Sequence, residues 1–422
     1  MAPKPPNVRR APAKPWRAID LHGGPDMAPK PPDVRRAPAK PWRASNQSLV
    51  RRVGARSVCV VMALVVLAGC RTFTPPEPAR LAPLLPRLGD LLLVGFHGTT
   101  AEGDAGLERL LCESRAGGAL LFGRNVVDAE QLARLTHALA ARARECAGRP
   151  PLVAVDAEGG RVMRLGTAAG YSDTLSHQAL GDANDLAVTE LEARRIGGRL
   201  RRAGIDWNLA PVVDVGYNPA NPVIVGNGRS FGAEPAQVIA HARAYLRGIH
   251  AAGVLTTLKH FPGHGSSFTD SHLGFVDVTH TARPEIELQP YRALMAEALV
   301  DSVMTAHVFN RRLDRRYPAT LSRATVTGLL REQIGWRGVV VSDDLRMGAI
   351  EQHYGLEDAA VLALEAGVDV LLIADDRLPD GGSASALALA AIRVALERGR
   401  LSPDTVDAAL TRIAALHARR GS

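Results

Sequence analysis

Apolar residues recur along this chain in short continuous runs, separated by longer stretches whose apolar positions fall three and four apart. A short, fully apolar run suits a strand buried on both faces, and a three-to-four spacing suits a helix with one buried face. From about residue 88 the two patterns alternate. The runs predict strands over 91–96, 119–122, 152–155, 206–209, 256–259, 302–306, 339–342 and 368–373. The spacing predicts helices between them, for example over 131–147, 188–203, 235–252, 285–299 and 357–366. Gly and Pro punctuate the joins. Eight alternations predict an α/β fold in which a parallel sheet closes into a TIM-type (β/α)8 barrel. It is expected as one domain over 88–422, without a C-terminal sandwich domain. An open, doubly wound sheet is the alternative, but no Gly-rich phosphate fingerprint follows the first strand, which argues against a dinucleotide site.

Polar residues interrupt this pattern where strands end. Asp156 follows the third strand, Asn208 and Asp214 lie around the fourth, and Lys259 and His260 close the fifth. His307 follows the sixth, and Asp343 and Asp344 follow the seventh. In a closed barrel all of them converge on the C-terminal rim, where barrel enzymes place their chemistry. One such residue usually satisfies a loop, whereas five strands doing it together point to a site.

Composition changes the picture mainly at the N-terminus. Apolar residues make up 46% of the chain and charged ones 22%, which excludes global disorder, a coiled coil and a multi-span membrane protein. The net charge of +8 is misleading: residues 1–69 hold four Lys, nine Arg and three Asp, a net of +10, so the remainder carries −2. A nearly neutral body gives no reason to expect a nucleic-acid partner. Residues 1–18 and 27–44 are copies that differ only at Asn7 and Asp33. They are rich in Pro, Lys and Arg and cannot build a core. Segment 1–49 is therefore a basic tether or an untranslated upstream duplication. Arg51, Arg52 and Arg56 then precede an apolar run from Val58 to Leu67, too short to span a membrane but right for an export signal over 50–69. The run ends in Leu67-Ala68-Gly69-Cys70, which resembles a bacterial lipobox. That resemblance implies a lipid on Cys70, an exported protein and, because residue 71 is Arg rather than Asp, the outer membrane of a Gram-negative host. Five prolines between Pro75 and Pro86 predict a stiff, extended tether over 70–87. Of four cysteines, Cys59 falls in the signal and Cys70 at the lipid position, leaving Cys112 and Cys146. An exported chain with two remaining cysteines, each near the end of a predicted neighbouring helix, suits either a disulfide or two buried thiols.

The densest chemistry is Lys259-His260-Phe261-Pro262-Gly263-His264-Gly265 followed by Asp270-Ser271-His272. Together with Asp156-Ala157-Glu158-Gly159-Gly160-Arg161-Val162-Met163-Arg164 and Ser342-Asp343-Asp344-Leu345, it resembles glycoside hydrolase family 3, in its single-domain bacterial β-N-acetylglucosaminidase branch. The resemblance covers roughly residues 88–420. It implies a retaining exo-β-N-acetylglucosaminidase acting on an amino-sugar oligosaccharide, with no cofactor and no metal. It implies Asp343 as nucleophile and His272, held by Asp270, as acid/base. A His does both jobs near neutral pH, and a carboxylate orients its ring and favours its charged form. Asp344 is the weaker candidate, since neighbours on an extended strand point opposite ways. Asp156, Arg164, Arg229, Lys259 and His260 would hold the terminal sugar, where charged groups bond hydroxyls strongly. Arg229 sits in Gly228-Arg229-Ser230-Phe231-Gly232, which also fits the family. Glu158 and Arg161 are expected to support the loop instead, His264 either to back the residues that touch the sugar or to stabilise a loop, and His307 either to line the pocket or to stay structural. Gly263 and Gly265 predict a mobile loop over the substrate. His260, His264, Asp270 and His272 imitate a zinc cluster, but Pro262 and two Gly preclude the helix that would give a four-residue spacing meaning.

Two departures from the family stand out. Residue 157 is Ala where Gln is usual, and Leu273-Gly274-Phe275 follows His272 without the usual Pro. Three functions compete: the glycosidase, a phosphorylase on the same fold (a His repels phosphate less than a carboxylate does) and a non-catalytic sugar-binding lipoprotein. The substrate class is peptidoglycan fragments or chitooligosaccharides. Only Trp207 and Trp336 follow residue 70, so long stacking platforms are not expected, and a monomer acting on short chains is. A start near Val50 would give the export signal a normal length, so N-terminal peptide mapping of the precursor is expected to find no peptide from residues 1–49.

Overall fold

All eight predicted runs form strands in the structure, a computed structural model that describes residues 76–420. They are β1 (Leu92–Gly95), β2 (Gly118–Leu121), β3 (Leu152–Val155), β4 (Trp207–Asn208), β5 (Leu255–Phe261), β6 (Ser302–Thr305), β7 (Val339–Val341) and β8 (Leu371–Ile373). They pair in parallel in chain order from β1 to β7, and β8 returns beside β1, with Val94 opposite both Ala119 and Ile373. A bridge between Val341 and Val370, with the Ser342 amide donating to the Val370 carbonyl, brings β7 to β8 and completes the barrel. Every residue of these strands is buried, which is why most of the runs are apolar without alternation. The expectations on Cys70, the signal over 50–69, the basic segment 1–49 and Pro75 lie outside the described residues.

Local chemistry sets the helix ends. The Asp128 carboxylate caps Ala129–Ala147 by accepting from the Gln131 amide, and Gly148 ends that helix with φ +79°. Asp185 caps Leu186–Arg202, whose last turn carries Arg199, Arg201 and Arg202 against the negative end of the helix. The helix expected over 285–299 is two pieces, Pro284–Glu287 and Gln289–Ala296. Pro290 is the reason: it offers no N–H and crowds the carbonyl four residues back.

The N-terminal rim of the barrel carries a repeated device. Asp206, Asp301 and Asp369 are buried and accept the backbone N–H of Val153, Thr256 and Val340 respectively. Each is paired with an Arg from the C-terminal end of the chain: Arg420 on Asp206, Arg419 on Asp301 and Arg412 on Asp369. A buried carboxylate needs such partners, so the chain's end locks three strand starts.

One expectation is corrected here. Within the tether predicted over 70–87, Pro78–Leu81 is helical and a 3-10 helix runs Leu85–Leu91. Leu81, Leu84 and Leu88 bury themselves in the core, because apolar residues three and four apart outweigh the extended bias of the prolines. No helix among the described residues is long and apolar enough to cross a membrane.

Cys112 and Cys146 form a disulfide across 34 residues. It joins the helical turn Arg109–Glu113 to the end of Ala129–Ala147, the elements that follow β1 and β2. Closing a loop of that length stabilises a fold by about 3–4 kcal/mol, chiefly by restricting the unfolded chain. Denatured, unreduced protein spanning residues 71–422 is expected to show no free thiol and reduced protein two, and Cys146→Ser to lower the unfolding free energy by about that amount.

Candidate active site

A cavity of about 330 Å³ opens at the C-terminal rim of the barrel, the size of a site for one small ring with an open mouth. Asp156, Arg164, Arg229, Lys259, His260, Asp270, His272 and Asp343 all line it. Residues from β3, β5 and β7 and from two long loops thus meet in one place.

The floor is an ion network. Lys259 is 2% exposed, and its Nζ lies 2.7 Å from both Asp156 Oδ1 and Glu158 Oε1. Arg229 donates through Nε and Nη2 to the two oxygens of Glu158 at 2.9 and 2.8 Å. Burial alone would raise the Glu158 carboxyl, but Arg229 and Lys259 outweigh it and hold it well below the usual carboxylate range. Burial likewise opposes the Lys259 charge, and Asp156 and Glu158 override it. Arg164 approaches Asp156 at 4.0 Å and faces the Phe122 ring. The Arg229 loop is fixed from behind: the Arg229 carbonyl accepts from His177 Nδ1 at 2.9 Å, Phe231 stacks on His177 at 4.0 Å, and Ser230 Oγ donates to the Asp214 carbonyl. Arg161 is exposed and reaches Gly226 and Asn227, a loop-supporting role as expected.

Asp343 and Asp344 both line the cavity, contrary to the expectation that neighbours diverge. The strand ends at Val341, so its alternation no longer governs them. Their environments differ instead. Burial favours the neutral Asp343 carboxyl, but the imidazoles of His307, His260 and His272 and the Asp344 amide outweigh it and hold it at about 2. Burial also raises Asp344, and there the amides of Ala374 and Arg346 do not compensate, leaving it at about 6. His307 does not line the cavity. It is 1% exposed, its Nε2 donates to the Asp344 carbonyl, and its Nδ1 meets Thr320 Oγ1.

The loop that carries Asp270 and His272 lines the same cavity. His272 Nδ1 and its backbone amide both bond Asp270 Oδ1, at 2.6 and 2.9 Å. A carboxylate accepts, so Nδ1 donates and Nε2 is the nitrogen left for proton transfer. The His272 side chain is 60% exposed. His264 is buried and its nitrogens meet Ser267 Oγ and Ser271 Oγ, which pins the loop. The amides of Gly348 and Ala349 hold the carbonyls of His272 and Ser271 from the far side. Gly263 and Gly265 are there for space as much as for motion. A Cβ would come within 2.7 Å of the Glu287 side chain at Gly263 and within 2.0 Å of the Val215 carbonyl at Gly265. Among the described residues, no group of three or more His, Cys, Asp or Glu is placed to hold a metal ion.

Sequence reasoning placed Asp214 only at a strand end. The structure puts it beneath the site, bonded to His260 Nδ1. It also assigned Glu158 to loop support, whereas Glu158 carries both Arg229 and Lys259. Phe122, Met304 and Met347 line the cavity without having been singled out, because apolar pocket walls read like core.

Fold and site define a barrel enzyme of the glycoside hydrolase type. A family model described as glycosyl hydrolase family 3 N terminal domain matches residues 86–416. Beta-hexosaminidase A of Pseudoalteromonas piscicida is 36% identical over 331 residues, 74% of this chain and 54% of the relative. The chain thus spans about half of that protein's length. A beta-hexosaminidase of Stenotrophomonas maltophilia (strain K279a) is 37% identical over 299 residues, 69% of this chain and 85% of the relative. Among solved structures, a glycoside hydrolase family 3 beta-N-acetylglucosaminidase from Paenibacillus sp. str. FPU-7 superposes with a TM-score of 0.75 at 39% identity, covering 80% of this chain and 62% of that one. The chain belongs to glycosyl hydrolase family 3.

Burial holds His264 at about 4, against 6.5 for a free imidazole. Between those values the native state binds fewer protons than the unfolded state, so the contribution of His264 to stability is lost as pH falls from 6.5 to 4. Glu287, raised to about 7, and Asp344 act with the opposite sign, so the difference between two proteins is the useful readout. His264→Gln keeps a bonding group for the serines but does not titrate. Denaturant unfolding at a series of pH values is expected to show wild type losing up to a few kcal/mol more than this variant between pH 6.5 and 4.

Proposed function

We propose that this chain is a retaining exo-β-N-acetylglucosaminidase that removes the terminal sugar from peptidoglycan fragments or chitooligosaccharides. The observation that carries the reading is the pairing of an ionised Asp343 inside the cavity with the His272–Asp270 dyad on its rim. Similarity to beta-hexosaminidases supports the choice of an amino sugar.

The chemistry follows from those positions. Asp156, Arg164, Arg229, Lys259 and His260 hold the hydroxyls of the terminal ring. An Asp343 oxygen attacks the anomeric carbon, the glycosidic bond breaks, and its electron pair stays on the leaving oxygen, which takes the proton from His272 Nε2. Asp270 stabilises the imidazolium beforehand and keeps Nδ1 protonated throughout. Water then attacks the glycosyl–Asp343 ester, returning a proton to Nε2 and releasing the carboxylate. Asp344, with an oxygen committed to the Ala374 and Arg346 amides, frames the nucleophile rather than replacing it. The enzyme would work in the cell envelope, anchored by lipid on Cys70.

Release of nitrophenol from 4-nitrophenyl N-acetyl-β-D-glucosaminide by residues 71–422 tests this. His272→Ala is expected to lose about 10²–10⁴-fold in rate, the usual worth of general acid–base catalysis, and Asp343→Ala more. Equal turnover in Asp343→Ala and wild type would refute the assignment. A sugar phosphate as product when phosphate is added would make the protein a phosphorylase.

A further inference from the structure

We propose that Asp214 is a positioning residue that fixes His260 as a hydrogen-bond acceptor toward the sugar and ties that clamp to the acid/base loop. The inference rests on the glycosidase reading, in which His260 touches the terminal ring.

Asp214 lies beyond the end of β4, and its side chain is fully buried. A buried carboxylate needs donors on its oxygens. Oδ2 meets His260 Nδ1 at 2.7 Å, and Oδ1 accepts from the His264 amide at 2.7 Å. The His260 amide approaches both oxygens at 3.2–3.3 Å. The ring's other nitrogen, Nε2, lies 3.3 Å from Arg229 Nη2.

Those two partners decide the tautomer. An ionised carboxylate only accepts, so Nδ1 must carry the proton. A guanidinium only donates, so Nε2 must present its lone pair. His260 is thereby a neutral ring whose lone pair faces Arg229 and the cavity. It can accept from a sugar hydroxyl and cannot serve as the acid, which leaves that task to His272. The same carboxylate holds the His264 amide, and His264 grips Ser271, the residue between the two members of the acid/base dyad. The Asp214 carbonyl in turn accepts from Ser230, next to Arg229. One buried residue therefore sets the height of the sugar clamp and of the proton donor together.

Asp214→Asn separates orientation from bulk. The amide oxygen can keep the His264 amide, but the NH2 then faces His260 Nδ1 and forces the proton to Nε2. Two donors, Nε2–H and Arg229, would then meet across 3.3 Å. The variant is expected to fold and to lose about 10²-fold in kcat/KM, less than a mis-set tautomer costs when the His is itself the base. His260→Ala combined with Asp214→Asn should be no worse than His260→Ala alone, because Asp214 acts through that ring. Losses that multiply in the double variant would overturn the proposal. A second readout needs no turnover. In wild type with 15N-labelled histidine, His260 signals assigned by difference against His260→Gln should show Nδ1 protonated and Nε2 bare near neutral pH. The reverse pattern sinks the inference even if the enzyme is active, whereas an inactive wild type with the expected spectrum sinks the glycosidase reading alone.

Discussion

The upper half of this molecule depends on keeping one ammonium charge out of water. Lys259 is almost wholly buried at the end of β5, where an unpaired cation would cost several kcal/mol. It is tolerable because Asp156 and Glu158 rise beside it from the end of β3, and because Arg229 shares Glu158 from a loop beyond β4. Three separate stretches of chain must therefore end at one height. That demand gives the cavity a fixed polar floor before any substrate arrives. It is the preorganisation that a charge-separating reaction exploits, since dipoles already aimed need no rearrangement.

The two rims of the barrel handle buried charge differently. At the N-terminal rim, Asp206, Asp301 and Asp369 each accept a backbone amide and pair with an Arg. At the C-terminal rim the charges are balanced as a group, but individual atoms face the cavity: Asp156, Asp343 and the outer nitrogen of His272. The same residue types thus serve stability at one end and chemistry at the other. What separates them is whether each polar atom finds its partner within the protein.

The barrel was legible because its strands are buried on both faces, so that most runs were largely apolar. The site was legible for the same reason in reverse: a Lys, a His or an Asp at the end of such a run has no structural excuse within the strand. Legibility failed where the backbone left the strand. Asp343 and Asp344 could not be separated by alternation, because the extended geometry stops at Val341. His307 looked like Lys259 in sequence, yet its bonds to Thr320 and Asp344 turn it away from the cavity. The 78–87 segment looked like a spacer because prolines are easier to see than the leucines between them, which reach the core. Asp214 was visible as a polar residue after β4, but its role depends on β5 and the following loop folding over it, which no local pattern records.

The two adjacent carboxyls at the end of β7 show how far surroundings alone can separate like groups. Asp343 and Asp344 share a cavity and a backbone, yet one is held at about 2 and the other at about 6. Burial pushes both upward. The difference lies in their neighbours: Asp343 is ringed by imidazoles, whereas Asp344 has two backbone amides on one oxygen and the charge of Asp343 beside it. In the proposed reaction Asp343 must be ionised before the substrate arrives, and a value of about 2 keeps it so across the working range. Asp344, raised to about 6, is partly protonated only in mildly acidic solution, where repulsion between the two carboxyls is eased. The different readiness of the two carboxyls to ionise is thus set by their surroundings, and it would be lost if either carboxyl were moved into the other's place.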